Sequence, residues 1–231
     1  IVLVTSTKAL KWHGGVPLPD IGKPDVQALK KGISNLDAHI DNLKHFGPQI
    51  VVSLNHFATD TQEEIEIIRA HCASRGVLFA VCDGFSLGGK GATELAKAVM
   101  QAAQSEPEAL NYSYEADDDI VTKITKLATN VYGAANVELS PAAQKDLKQI
   151  QELGFDRLPV CVAKTPYSLS HEPTLLGAPK GFTLPVQRLI LNAGAGFVVA
   201  TTGAIMRMPG LPKKPAALHI DVVNGKIVGL S

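Results

Sequence analysis

The chain has 231 residues, 45% of them hydrophobic, which suffices to bury a sizeable core in one large domain or two small ones. Its 22 Lys and Arg balance 22 Asp and Glu to a formal net charge of zero, which excludes a general electrostatic grip on nucleic acid or on an anionic membrane surface. No apolar run approaches the roughly 20 residues that cross a bilayer, and the three cysteines match neither a zinc spacing nor a closed disulfide framework.

Residues 1–5 (IVLVT) read as a strand buried on both faces. The run opens with neither an initiator Met nor capping residues, as expected of a piece excised from a larger protein. KALKWHGG (8–15) reads as a loop, and Pro17, Pro19 and Pro24 keep the backbone open after it. Residues 25–45 carry Val26, Leu29, Ile33, Leu36, Ile40 and Leu43 at spacings of three and four, the pattern of an amphipathic helix ended by Gly47-Pro48. A strand follows at 50–54 (IVVSL). Thr61 and Glu64 form a capping box that opens a helix running to about residue 75, where Gly76 stops it. Residues 77–82 (VLFAVC) are a strand, and Gly88, Gly89 and Gly91 lead into a helix over 93–104. This strand–loop–helix rhythm predicts a parallel sheet with crossover helices.

Further helices are predicted over 117–132, ended by Gly133, and from Ser140-Pro141 to Gly154, where Ser is the N-cap and Pro the first helical residue. Residues 158–163 (LPVCVA) are a strand. The texture then becomes β-rich, with strands expected over 182–191 and 197–208, rigid turns in MPGLPKKP (208–215) and a closing hairpin over 217–228 about Asn224-Gly225. The expected fold class is α/β: a mostly parallel sheet with crossover helices, followed by a smaller β-rich C-terminal region. Cys82 and Cys161 fall in apolar strands and read as small core residues, and the cysteine usage fits a reducing compartment, cytoplasmic or organellar.

Ligands of open α/β sheets bind beyond the C-terminal ends of the strands. KALKWHGG, NHFATDT, DGFSLGGKG and KTPYSLS fall there. Phe57 in the second segment is either a local cap on the core or a flat face for a ring system. Asp60 and Thr59 read as starters of the following helix. Phe85 is a second aromatic in a polar loop, beside glycines that permit close backbone approach but do not spell a phosphate loop. His13, with Gly14 and Gly15, places an imidazole and backbone N–H groups where an anion could sit, although a lone His is more often structural. Lys8 and Lys11 read as solvated surface lysines or as partners for a phosphate or carboxylate. Lys164, at the end of LPVCVA, is open to the same two readings, as is Ser168. No nucleophile–base pair is evident, and no metal-ligand set is expected from His56, His71, His171 and His219.

Several of these segments resemble formate–tetrahydrofolate ligases. TSTKALKWHGG is similar to the family's T-x-R-A-L-K-x-H-G-G stretch and NHFATDTQEE to its N-x-F-x-T-D-T-x-x-E loop. GGKGATELA, GFDRLPVCVAKTPYSLSHEPTLLGAPKGF and GAGFVVATTGAIMRMPGLPKKPAALHID resemble further family blocks, in the family's order, over essentially the whole chain. The resemblance implies a one-carbon enzyme that joins formate to tetrahydrofolate, giving 10-formyltetrahydrofolate through formyl phosphate. It would use ATP with Mg2+, respond to a monovalent cation, form a homo-oligomer and act in the cytoplasm or an organelle. By motif, Phe57 and Phe85 would hold the pterin-like ring between them, with Phe85 standing where Trp is common. Lys8 (where Arg is usual), His13, Gly14, Gly15, Asn55, Gly88, Gly89 and Lys164 would support the ligand face. The resemblance further implies that residues 1–48 are the tail of a nucleotide-binding domain, 49–165 a folate-side domain and 166–231 a β-rich region. No Gly-x-x-x-x-Gly-Lys-Ser/Thr occurs in the 231 residues, so phosphoryl chemistry would lie elsewhere in an intact ligase. The alternative is a catalytically silent folate-binding or assembly fragment.

Overall fold

A computed structural model describes residues 1–106, 109–164, 168–203 and 213–229. Its first half is an α/β unit. Strands β1 (Val2–Thr5), β2 (Val51–Asn55) and β3 (Leu78–Cys82) form a parallel sheet in that order. KALKWHGG is not a loop. Thr7–His13 is helix α1, because the Ser6 hydroxyl accepts the Ala9 N–H at 3.1 Å and the Ala-Leu-Lys run favours helix once nucleated. Helix α2 (Val26–His45) is capped by Asp25, and α3 (Gln62–Ser74) carries the expected capping box of Thr61 and Glu64. The short helix α4 (Gly84–Leu87) and a 3-10 turn over Gly88–Ala92 precede α5 (Thr93–Ala103).

Alternation along β2 sorts the layers. Ile50, Val52 and Leu54 pack with Leu29, Leu36 and Ile40 of α2 and Ile65 and Ile68 of α3 in one buried cluster. Val51 faces the other way, toward Val99, Ala102 and Ala103 of α5. All of Val51–Leu54 is buried, as a strand sheltered on both faces requires. Close approach of α1 and α2 depends on glycine: a Cβ on Gly32 would lie 1.8 Å from the Leu10 carbonyl oxygen, and one on Gly14 would lie 1.9 Å from that of Ala28.

The second half holds α6 (Ile120–Asn130), β4 (Asn136–Leu139), α7 (Pro141–Glu152), β5 (Val160–Ala163), β6 (Thr183–Val186), β7 (Arg188–Asn192) and β8 (Phe197–Thr201). β4 pairs in parallel with β6; β5 and β7 flank β8, parallel and antiparallel respectively. The single strand expected over 182–191 is two strands. Gln187 sits between them, donating its N–H to the Thr201 carbonyl while its own carbonyl accepts the Ser140 hydroxyl, so the chain leaves one sheet and joins the next. The local sequence pattern predicts no strand at Asn136–Leu139, where β4 forms. Cys161 is exposed rather than in the core, because β5 sends Val160 inward and Cys161 to the opposite face. The closing hairpin, β9 (Asp221–Val223) with β10 (Lys226–Val228), turns on Asn224 and Gly225 with φ of 51° and 76°, the left-handed pair of a type I′ turn. The turns expected in MPGLPKKP and the end of the strand expected over 197–208 lie largely outside the described residues.

Candidate functional site

Parallel pairing brings the C-terminal ends of β1, β2 and β3 side by side. Register sets Asn55 opposite Cys82, and the next amide, His56 N–H, donates to the Cys82 carbonyl at 3.0 Å. His56 Nδ1 stands 3.6 Å from an Asp83 carboxylate oxygen. The loop after β2 is thereby joined to the loop after β3. The Ser86 hydroxyl, aided by His56, holds the Asp83 carboxyl below the usual carboxylate range, so Asp83 is a carboxylate near neutrality.

Asp60 ties the same loop to the end of β1. Its carboxylate accepts the Phe57 N–H at 2.9 Å with one oxygen and the Thr7 hydroxyl at 2.5 Å with the other. Its own N–H closes a turn onto the Phe57 carbonyl at 2.9 Å. Asp60 therefore does not start α3, a task that falls to Thr61; it clamps the turn that presents Phe57. The residue after Thr7 is Lys8, whose ammonium lies 4.0 Å from the centroid of the half-buried Phe57 ring. One face of that ring is in a cation–π contact.

The loop after β3 folds back on itself. Asp83 N–H donates to the Gly91 carbonyl at 3.0 Å, and a Cβ on Gly91 would lie 2.1 Å from the Asp83 carbonyl oxygen, so only glycine fits. Gly88 adopts φ 58°, ψ −141°, a conformation closed to other residues. This closed loop thrusts Phe85 outward, 93% exposed, while Gly89 is bordered by open space. At that exposure the Phe85 ring adds almost nothing to the core of the described residues.

The other residues singled out gather elsewhere, at the seam between the two halves. His13 is buried and its Nδ1 accepts the Gly177 N–H at 3.1 Å, so the ring is neutral with its proton on Nε2. Burial, with repulsion from His39, lowers its pKa to about 4. Asn35 donates to Ser168 Oγ at 2.8 Å and to the Gly177 carbonyl at 2.9 Å, and His39 Nε2 lies 2.9 Å from the same Ser168 oxygen. Ser168 sits at φ 65°. Lys164, half-buried, donates to the Ser170 carbonyl at 3.2 Å, and burial brings its pKa down to about 8. The structure thus assembles Lys8, Asn55, Phe57, Phe85, Gly88 and Gly89 at the strand ends of the first sheet. His13, Gly14 and Lys164 serve the seam and the α1–α2 contact.

Lys11 is not a surface lysine. It is fully buried, paired with the equally buried Glu64 at 3.0 Å and donating to the Lys23 carbonyl at 2.8 Å. Glu64 also accepts the Thr61 and Asp25 N–H groups. This pair locks α1, which carries Lys8, to α3, which follows Phe57. The sequence signals for it were the capping-box Glu and the four-residue helical spacing from Thr7 to Lys11. Neither reveals a partner more than fifty residues away. Among the described residues, no group of three or more His, Cys, Asp or Glu could hold a metal ion, and no helix is long and apolar enough to cross a membrane.

A family model described as formate–tetrahydrofolate ligase matches residues 1–231. The chain belongs to the formate–tetrahydrofolate ligase family. It is 49% identical to the formate–tetrahydrofolate ligase of Phocaeicola vulgatus over 231 residues, 50% to that of Porphyromonas gingivalis over 231 residues and 50% to that of Campylobacter concisus over 233 residues. In each comparison all of this chain is matched, and it spans 42% of the relative's length. The motif resemblance quoted above is therefore a membership, and the α/β architecture is that of a ligase-family segment.

Proposed function

We propose that this chain provides the folate-ring side of a formate–tetrahydrofolate ligase. In the intact enzyme, ATP and formate would give formyl phosphate, whose formyl group passes to tetrahydrofolate as 10-formyltetrahydrofolate. The observation that carries the reading is the exposed Phe85 ring on a glycine-locked loop, hydrogen-bonded through His56 and Cys82 to the loop that presents Phe57. Two aromatics on adjoining rigid loops suit a flat bicyclic ring, which exchanges water for stacking at little ordering cost. Lys8 covers one face of Phe57 and leaves a cation beside the ring, favourable to an electron-rich heterocycle or a carboxylate tail. Asn55, at the exposed end of β2, and the backbone about Gly88 and Gly89 offer donors and acceptors to ring edges. His13, Gly14, Gly15 and Lys164 support this face indirectly by fixing α1 and the seam behind it.

The 231 residues contain no Gly-x-x-x-x-Gly-Lys-Ser/Thr phosphate loop. Phosphoryl transfer depends on the positioned charge such a loop supplies, so in an intact ligase that step would draw on residues other than these. A cytoplasmic, homo-oligomeric enzyme fits this reading. The rival reading, a silent folate-binding or assembly fragment, is favoured for the isolated chain by the same missing loop.

Titration of tetrahydrofolate into the chain, wild type against Phe57→Ala and Phe85→Ala, tests the ring site. Stacking on one aromatic is worth about 1–3 kcal/mol, so each variant should bind weaker by about 5- to 150-fold. Unchanged affinity in both removes the site. Ligase assays on the intact protein test the reaction: no ATP- and formate-dependent 10-formyltetrahydrofolate would remove that assignment, and turnover by the 231-residue chain would remove the silent alternative.

A further inference from the structure

His56 stands between the two aromatic loops with one ring nitrogen near a carboxylate and the other uncommitted. Its backbone N–H, not its ring, makes the bond that joins the loops, donating to the Cys82 carbonyl at 3.0 Å. The next residue is Phe57, and Asp83, which faces the imidazole, is two residues from Phe85. The His56 and Asp83 side chains are 28% and 24% exposed, with Nδ1 3.6 Å from a carboxylate oxygen. That separation is long for a hydrogen bond from a neutral ring but close for an ion pair once the ring is charged. His56 Nε2 makes no hydrogen bond to a described residue.

The other titratable side chains about these strand ends are poorly suited to taking up a proton. Lys8 holds its ammonium 4.0 Å from the Phe57 centroid, and Lys90, in the 3-10 turn after Phe85, is a second ammonium. Asp60 is occupied by the Phe57 N–H and the Thr7 hydroxyl. Cys82 packs its Sγ beside Gly84. The Asp83 carboxyl, bonded by Ser86, is held below the usual carboxylate range and is a correspondingly weak base. An imidazole is the side chain that gains and loses a proton near neutrality.

Formyl transfer to tetrahydrofolate needs such a group. The amine nitrogen at position 10 attacks the carbonyl carbon of formyl phosphate. The N–C bond forms, the C–O bond to phosphate breaks, and phosphate leaves with that electron pair. The attacking nitrogen turns cationic on the way and must release its proton for the amide to form. We propose that His56 Nε2 accepts that proton, with Asp83 as the residue that positions the imidazole. The inference rests on the ring-site reading above, in which tetrahydrofolate would lie between the loops that flank His56. Neutral His56 would carry its own proton on Nδ1, toward Asp83. A second proton at Nε2 makes it an imidazolium 3.6 Å from a carboxylate, so its charge is stabilised as it develops. Contacts of this kind are often long before substrate binds and tighten with it. The proton then passes to the departing phosphate or to water.

The test is kcat/KM for tetrahydrofolate against pH in the intact ligase carrying these residues, at saturating ATP and formate. A neutral imidazole acting as base gives a limb that falls toward acid pH. His56→Gln should lower kcat/KM by about 100- to 10,000-fold and abolish that limb. Its tetrahydrofolate binding, titrated without ATP, should stay at the wild-type value, which shows the fold intact. Asp83→Asn, which removes the charge that favours the imidazolium, should move the limb to lower pH, and it carries the decision if His56→Gln does not fold. Wild-type kcat/KM in His56→Gln, or an acid limb unmoved in Asp83→Asn, would overturn the proposal and leave the ring site standing. Failure of the ring site reads differently: tetrahydrofolate affinity would then ignore Phe57→Ala and Phe85→Ala.

Discussion

Single residues carry the site by what they are tied to. Phe57 is half-buried under Lys8 and clamped by Asp60, whereas Phe85 is nearly free of the protein, so the two rings should differ in their response to enlargement. Phe85→Trp is expected to tighten tetrahydrofolate binding severalfold by adding stacking area, measured by fluorescence titration; Phe57→Trp has no such room beneath Lys8. The Lys11–Glu64 pair makes a sharper prediction. Removing one partner of a buried ion pair strands the other charge, at a cost of about 3–5 kcal/mol. Lys11→Met should lower the unfolding free energy measured by urea melts by that much, and a change under about 1 kcal/mol would show that water reaches Glu64. The motif blocks marked Phe57 and Phe85 as ring residues from sequence. They could not mark Asp60 as the clamp, because its hydroxyl donor, Thr7, is fifty-three residues earlier.

At the scale of elements, local signals worked where a helix or turn is closed by its own neighbours. The Thr61–Glu64 box, the Ser140-Pro141 start and the Asn224-Gly225 turn all form as expected, because their hydrogen bonds span two or three residues. They failed where distant partners decide. β4 is a half-exposed four-residue run whose only reason to be a strand is β6, 47 residues on. The run over 182–191 reads as one apolar strand, yet it divides at Gln187 between two sheets. The α1–α2 contact yields a prediction: Gly32→Ala places a methyl where the Leu10 carbonyl stands. Such overpacking costs about 1–3 kcal/mol, visible as a lower melting temperature, whereas Gly22→Ala, with open space around it, should be neutral within about 0.5 kcal/mol.

The whole molecule is two layered halves held through α1 and α2, and its seam titrates. His13 has an ordinary pKa of 6.5 and a folded value of about 4, lowered by burial and then by His39. His39 is lowered too, by burial and then by Lys164. Between pH 6.5 and 4 the unfolded chain takes up protons that the folded seam refuses, so stability is full above about pH 6.5 and falls as pH drops toward 4. Urea melts across that range should show the decline, and His13→Asn, which keeps an acceptor for the Gly177 N–H without titrating, should flatten it. An equally steep decline in the variant would place the pH dependence elsewhere. Glu64 acts in a lower window. Burial opposes its charge, but hydrogen bonds from Thr61, Lys11 and Asp25 outweigh it and lower its pKa, so its contribution is lost only as pH falls below the usual glutamate value of 4.5.

Residue order alone determined the α/β class, most helix limits, the family motifs and the absence of a phosphate loop, since each depends on neighbours within a few positions. Tertiary structure decided which of those residues share a surface. Lys8, Phe57 and Phe85 lie on neighbouring loops because three parallel strands end together, while His13, Gly14 and Lys164, equally suggestive in sequence, are consumed by packing at the seam and between α1 and α2. The reason is physical. Hydrogen-bond register and helix contact act between segments tens of residues apart, and no local pattern encodes which buried group will find which partner.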